Sequence, residues 1–255
     1  MIHLLRGGSS SAIPEGSTRC TYVRHDSGHT EASGHIHLLL PNLSANDCLE
    51  VFVKNIDNHA NTVRLGNCTL FCEKVANTRT VFSATADSTT TGPNLNPASA
   101  SALQWDHDVA NSGFTHNDTN SPQNIRLNSA AKYLVYVNLP LHSNGGRVAP
   151  QLMVKLGGNL VTGGAASQGY LRGANGINKS SLHWVGLINS SSANQILTVE
   201  IARRSTVTNN TTVPSGEKGS SFIEKLANSN GLFSATATQT TASDPNDWNL
   251  SLIHI

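Results

Sequence analysis

Charge is what this chain of 255 residues has least of: Asp, Glu, Lys and Arg together make up 13% of it, about half the usual share. Aromatic residues are scarce as well, at 5%. A net charge of +1, with no Lys/Arg cluster interleaved with aromatics, excludes an electrostatic footprint for nucleic acid. No apolar run approaches the roughly 18 residues of a membrane span. The opening segment MIHLLRGG holds too short an apolar stretch for a secretory signal. Cysteines are few: Cys20, Cys48, Cys68 and Cys72. CTLFC has no second Cys/His pair at zinc-finger spacing. On a strand its two cysteines would project from one face roughly 13 Å apart, too far to bridge each other. Free or buried thiols are expected, and the disulfide state of all four is open.

The space left by charge is filled with Ser, Thr, Asn and Gly. Such a chain is poor in helix formers and rich in turn formers and β-branched residues, and it reads as all-β with many loops.

A repeat organises it. Residues 22–53, YVRHDSGHTEASGHIHLLLPNLSANDCLEVFV, lie without a gap on 170–201, YLRGANGINKSSLHWVGLINSSSANQILTVEI, at an offset of 148. Tyr22 meets Tyr170, Arg24 meets Arg172, Gly28 meets Gly176 and His35 meets His183. The triplet SAN at 44–46 meets SAN at 192–194. Strand phase agrees too: Leu49, Val51 and Val53 share the parity of Leu197, Val199 and Ile201, and a one-residue slip would swap the faces. EKVANTRTVFSATADSTT, from 73, returns as EKLANSNGLFSATATQTT, from 224, at an offset of 151. Three extra residues in an intervening loop account for the difference. The expectation is a tandem array with a unit of about 150 residues. Residues 1–55 form the C-terminal half of a first module, 66–205 a complete module, and 220–249 the start of a third. Residues 1–55 then lack the strands that cover their apolar face, and 220–249 is the candidate to supply them.

Within 66–205 the strand signals are direct. KYLVYVNLPL puts Tyr133, Val135, Val137, Leu139 and Leu141 on one face, with Leu134 and Tyr136 on the other. QLMVKLGGNLV turns through Gly157, Gly158 and Asn159, a hairpin signal. Short strands at this spacing, with Gly/Asn turns and no helical period, mean an antiparallel β-sandwich.

The order FTHNDTNSPQNIRLNSAAKYLVYVNLPL, QLMVKLGGNLV, GYLRG and SSANQILTVEIAR, over 114–203, resembles the jelly-roll superfamily of tumour-necrosis-factor-like and complement-globular-head-like domains. Ala130 and Ala131 stand where a glycine usually precedes the tyrosine, and SSSANQ replaces the usual Gly-Asp turn before the last strand. The resemblance implies a two-sheet jelly roll that commonly trimerises and serves binding or structure rather than catalysis. Tandem modules with SALQWD and Asn/Thr-rich loops resemble uncharacterised virion proteins of aquatic phages. The last six residues, LSLIHI at 250–255, are what CTGTCTCTTATACACATC encodes, a string resembling a transposase adapter end used in sequencing libraries. They are expected to be a non-native tail and are set aside.

Three groups of residues invite a chemical reading. His25, His29, His35 and His37 gather, and HIH on a strand would put two imidazoles on one face. In the second copy only His35 has a histidine counterpart, so surface or interface histidines are expected rather than a metal site. QWDHD offers Asp106 and Asp108 beside His107, without a further acidic ligand nearby, and reads as a solvated loop. No Gly-x-Ser-x-Gly elbow is present, and LGGNLVTGGAASQG lacks the Lys and the spacing of a phosphate loop. No catalytic, cofactor-binding or metal residue is assigned. The expected function is a non-enzymatic structural or adhesive virion component, located on a virion or outside cells. It would be a homo-oligomer, with a trimer implied by the resemblance, meeting a host-surface or glycan ligand without nucleic acid or membrane. The alternative is a secreted bacterial carbohydrate- or surface-binding module, for which exposed aromatics would speak. Trp105, Trp184 and Trp248 are the only tryptophans, and Trp184 is expected in the core.

Overall fold

A computed structural model describes residues 2–6, 12–18, 34–53 except 42, 69–86 except 77, 94–167, 171–172 and 178–227. The expectations for Cys20, His25, His29, Cys68, Trp248 and residues 228–255 lie outside the described residues.

Every regular element among the described residues is a strand. The first three are β1 (Ile2–Arg6), β2 (Ala12–Thr18) and β3 (Leu49–Val53), and they form a small antiparallel sheet in the order β2-β1-β3. Then come β4 (Val81–Ala86), β5 (Ser101–Ala102), β6 (His107–Asn111), β7 (Phe114–Thr115), β8 (Ile125–Leu127) and β9 (Ala131–Ser143). They are followed by β10 (Arg147–Val148), β11 (Pro150–Leu156), β12 (Asn159–Ser167), β13 (Leu171–Arg172) and β14 (Lys179–Ser190). The last are β15 (Gln195–Arg203), β16 (Thr211–Thr212) and β17 (Gly219–Lys225).

Two sheets make the sandwich. One runs β14-β9-β17-β4-β6 with β16 on the end of β9, and the other runs β12-β11-β15-β8-β7 with β5 beside β15. After β8 the chain crosses to β9, returns for β11 and β12, crosses to β14, returns for β15 and crosses back to β17. That back-and-forth wiring of antiparallel strands is a jelly roll. The short pair β10–β13 sits apart from both sheets.

Alternation sets the core. Along β9, Tyr133, Val135, Val137, Leu139 and Leu141 are all at most 3% exposed, whereas Leu134 and Tyr136 are only partly covered. From the facing sheet Leu152, Val154, Leu197, Val199 and Ile201 close on the same interior. Each such side chain contributes about 1.5–3 kcal/mol on leaving water. Trp105 and Trp184 belong to this core.

The structure moves one boundary. Gly219–Lys225, expected at the start of a third module, lies between β9 and β4 and bonds to both, joining two halves of one sheet. The sandwich therefore begins at β4 and closes with β17, beyond the expected end at 205. Both edges of Gly219–Lys225 are paired within the sandwich, so it adds no strand to the small sheet of residues 1–55, although its outward Phe222 meets His37.

The small sheet repeats the large one. Ile2 pairs with Val53, Leu4 with Val51 and Arg6 with Leu49. In the sandwich Leu152 pairs with Ile201, Val154 with Val199 and Leu156 with Leu197. The second edge agrees as well: Ile2–Thr18 and His3–Ser17 precede a register shift before Leu5–Ala12. Leu152–Ala166 and Met153–Ala165 precede the same shift before Lys155–Leu160. The match holds at an offset of 150 on β1 and 148 on β2 and β3, so the two hairpins differ by two residues in their loop. Glycine stands at the same place in both, as Gly16 and Gly164. At Gly164 a Cβ would lie 2.7 and 2.8 Å from the carbonyl oxygens of Val161 and Val154, so the bulge requires its absence.

Candidate functional site

The face of the β14-β9-β17-β4 sheet that points away from the core is built in rows, because neighbouring antiparallel residues share a side. In one row Val185 lies beside Tyr136, Tyr136 beside Phe222, and Phe222 beside Ser83. The next row runs His183, Asn138, Ser220 and Thr85. On the other side stand Leu187, Leu134, Glu224 and Val81.

An outward face of a free sandwich should be wet, yet much of this one is covered. Phe222 is 7% exposed, and Asn138, Ser220 and Thr85 are each at most 3% exposed. The Ser220 and Thr85 hydroxyls are buried without a hydrogen-bond partner among the described residues. Part of the cover comes from residues 34–41. His37 stacks flat on Tyr136, ring centroids 3.4 Å apart at 8°, and tilts against Phe222 at 5.2 Å. His35 meets His183 edge to face at 6.0 Å. Val185 remains 59% exposed beside them.

The electrostatics follow from that cover. Desolvation lowers His37 to about 4, although the residue as a whole keeps an exposed edge. His183 is also lowered to about 4, by burial first and then by the neighbouring charge of His35. Burial raises the Tyr136 phenol, and Glu224 raises it further. At the end of the face Arg79 Nη1 donates to Glu73 Oε1 at 2.6 Å, while its Nε and Nη2 donate to Glu224 Oε1. Glu224 is 8% exposed, and this cation keeps its charge compensated.

The residues singled out in the sequence divide sharply. His35 and His37 do not sit on a strand, because residues 34–41 are irregular. They reach the sheet separately, one to His183 and one to Tyr136. No group of three or more His, Cys, Asp or Glu placed to hold a metal occurs among the described residues. Asp108 is in β6, not a solvated loop, and its Oδ1 lies 2.7 Å from Nδ1 of His116. His116, whose side chain is fully buried, also approaches the Pro122 carbonyl at 3.0 Å through Nε2. Asp108 also accepts a bond from Asn111 Nδ2 at 3.1 Å, and the exposed His107 joins neither contact. Trp184 is in the core as expected, its Nε1 donating to the Gly163 carbonyl at 2.8 Å. Trp105 is fully buried. Cys48 and Cys72 are free and exposed. Sequence reasoning missed Arg79 and the outward partners of Tyr136. The signal was present in the repeated Glu-Lys that makes Glu73 and Glu224 equivalent.

No family model matches the chain, and none of the curated proteins compared matches it. Among solved structures, murine APRIL at pH 8.0 is similar at 13% identity and a TM-score of 0.37, over 57% of this chain and 98% of that one. The Eiger TNF of S. frugiperda is similar at 14% identity and a TM-score of 0.38, over 62% of this chain and 100% of that one. The globular domain of zebrafish complement 1qA is similar at 7% identity and a TM-score of 0.36, over 58% of this chain and 98% of that one. Each of these is a likeness of fold alone.

Proposed function

We propose that this chain is a non-enzymatic structural or adhesive protein, a virion component of a phage, built from tandem jelly-roll modules that pack against one another through sheet faces. The observation that carries the reading is the covered outer face of the β14-β9-β17-β4 sheet, where His37, from outside the sandwich, stacks on Tyr136 and tilts against Phe222. A face of this kind excludes water and suits assembly. The matching registers of β2-β1-β3 and β12-β11-β15 support the tandem part of the reading. Homo-oligomers, trimers among them, and a virion or extracellular location belong to the same proposal. So does a host-surface or glycan ligand taken by the loops.

The second reading, a secreted carbohydrate-binding module, asks for exposed aromatic platforms. Trp105 and Trp184 are both spent in the core, which favours the first reading. The genes flanking the coding sequence test the viral part: capsid or tail genes support it, and secretion and polysaccharide genes overturn it. Sedimentation of the full chain tests the assembly part, and a monomer at every concentration overturns that.

A further inference from the structure

We propose that residues 69–74 are the closing strand of a second sandwich, the repeat to which β1, β2 and β3 belong, and that they seat between that repeat's own counterparts of β9 and β4. The inference rests on the tandem-module reading and names the partner of this segment: the front half of the same repeat.

The segment is a copy of β17 in sequence. CTLFCEK at 68–74 lies on GSSFIEK at 219–225 at the offset of 151, and the match runs on without a gap into the two FSATA stretches. Phe71, Glu73 and Lys74 meet Phe222, Glu224 and Lys225. β17 shows what such a segment does when it has neighbours. It bonds to β9 along one edge and to β4 along the other, with Phe222 7% exposed and Ile223 in the core.

In 69–74 the same kind of sequence has nothing to pair with. These residues are irregular, Phe71 is 82% and Leu70 52% exposed, and the Cys72 thiol is free and exposed. A strand forms only where its N–H and C=O groups find partners. Ahead of residue 69 the chain carries counterparts of β11, β12 and β15, which are β1, β2 and β3. It carries no stretch there like KYLVYVNLPL or FSATA, the strands that flank β17. The partner the segment fits is therefore a sheet with β9-type and β4-type edges.

Side-chain phase fits that place. Ser220, Phe222 and Glu224 point outward with Asn138, Tyr136 and Leu134, while Gly219, Ser221 and Ile223 point inward with Leu139, Val137 and Val135. By the same parity Thr69, Phe71 and Glu73 would point outward, and Cys68, Leu70 and Cys72 inward. The outward set changes only Ser to Thr, and the inward set is free of charge, as a strand between two core-lining neighbours requires. The join is short as well. Lys225 N donates to the Thr80 carbonyl at 3.0 Å, so the chain enters the sandwich beside the place where β17 leaves it. Residues 75–80 span at most about 20 Å, which brings the second sandwich to this end of the sheet.

The test joins a copy of residues 76–150 ahead of Met1 of the full chain, with Cys20, Cys48 and Cys68 changed to Ser so that Cys72 is the one thiol. Met1 corresponds to Gln151 at the β1 offset, so the join keeps the natural spacing. Cys72, which takes the place of Ile223, should react with a maleimide at least about a hundredfold more slowly than in the unextended chain, because a buried thiol reacts only through opening. Equal reactivity in the two chains overturns the proposal. So does protection in the unextended chain that grows with its concentration, which assigns the segment to a second copy. Amide exchange in the same samples separates this proposal from the reading beneath it. Protected β1 and β3 beside a reactive Cys72 removes the closing strand and leaves the tandem modules, whereas free exchange in both removes the two together. Where the extended chain stays insoluble, a second variant decides: Gly219→Cys, Ser220→Thr, Ser221→Leu and Ile223→Cys write residues 68–74 into β17 of the full chain. Its amides at 220–225 should stay protected, and free exchange there overturns the proposal.

Discussion

Asn46 and Asn194 hold the same left-handed backbone, φ 72° and 65°, and they are the third residue of the two SAN triplets. Each closes the turn that leads into a strand, β3 in one copy and β15 in the other. Asparagine tolerates this conformation where most residues do not, and so does the work that a glycine would do in such a turn. Asn194→Ala should cost about 1 kcal/mol, and Asn194→Gly should be close to neutral. Urea unfolding of the full chain checks this, and an Ala variant as stable as the parent contradicts it.

Gly164 makes a sharper demand. The carbonyl oxygens of Val161 and Val154 crowd the place of its missing Cβ, and neither can retreat without undoing the bulge in the β11–β12 pairing. Gly164→Ala should destabilise the sandwich by about 1–3 kcal/mol. A thermal melt unchanged by the substitution would show that the bulge is not needed.

The two described tryptophans should answer differently to phenylalanine. Trp184 donates to Gly163, whereas the Trp105 Nε1 is buried without a partner among the described residues. Both substitutions leave a gap, but only Trp184→Phe also breaks a hydrogen bond. It should cost about 1 kcal/mol more than Trp105→Phe, measured by denaturant midpoint. The reverse order contradicts the assignment.

Acid should loosen the covered face. His37 and His183 hold values of about 4 in the fold against an ordinary 6.5, so the unfolded chain takes up protons first as pH falls. The stability conferred by the neutral rings is complete above 6.5 and is lost as pH falls toward about 4. Denaturant midpoints across that window should drop for the parent and drop less for His37→Gln with His183→Gln. Equal slopes would remove the histidines from the account.

How far the sequence reveals this depends on the element. β9 announced itself because Tyr133 to Leu141 alternate without interruption, and Trp184 followed from its place in a strand. β17 escaped because Gly219, Ser220 and Ser221 give no strand signal, so residues 220–249 read as the start of a third module, although all three residues are buried at the centre of a sheet. Small polar residues carry no periodic signal, so only pairing with β4 and β9 identifies them. The likeness of β1 and β2 to β11 and β12 was obscured by two extra loop residues that change the offset. The outer face escaped for another reason: alternation marks Tyr136 as outward but cannot say what lies on it. HIH suits a strand by its spacing, but β14 takes its hydrogen bonds from β9, whereas residues 34–41 are irregular and pair with no strand among the described residues.

Hydrogen exchange on the full chain tests the central claim most directly, that residues near the N-terminus rebuild the strand pairing of the complete module. Amides of β1 and β3 should be protected at the positions equivalent to those protected in β11 and β15, with Leu4 and Val51 behaving as Val154 and Val199 do. Free exchange throughout Ile2–Arg6 and Leu49–Val53, beside a protected sandwich, would contradict it.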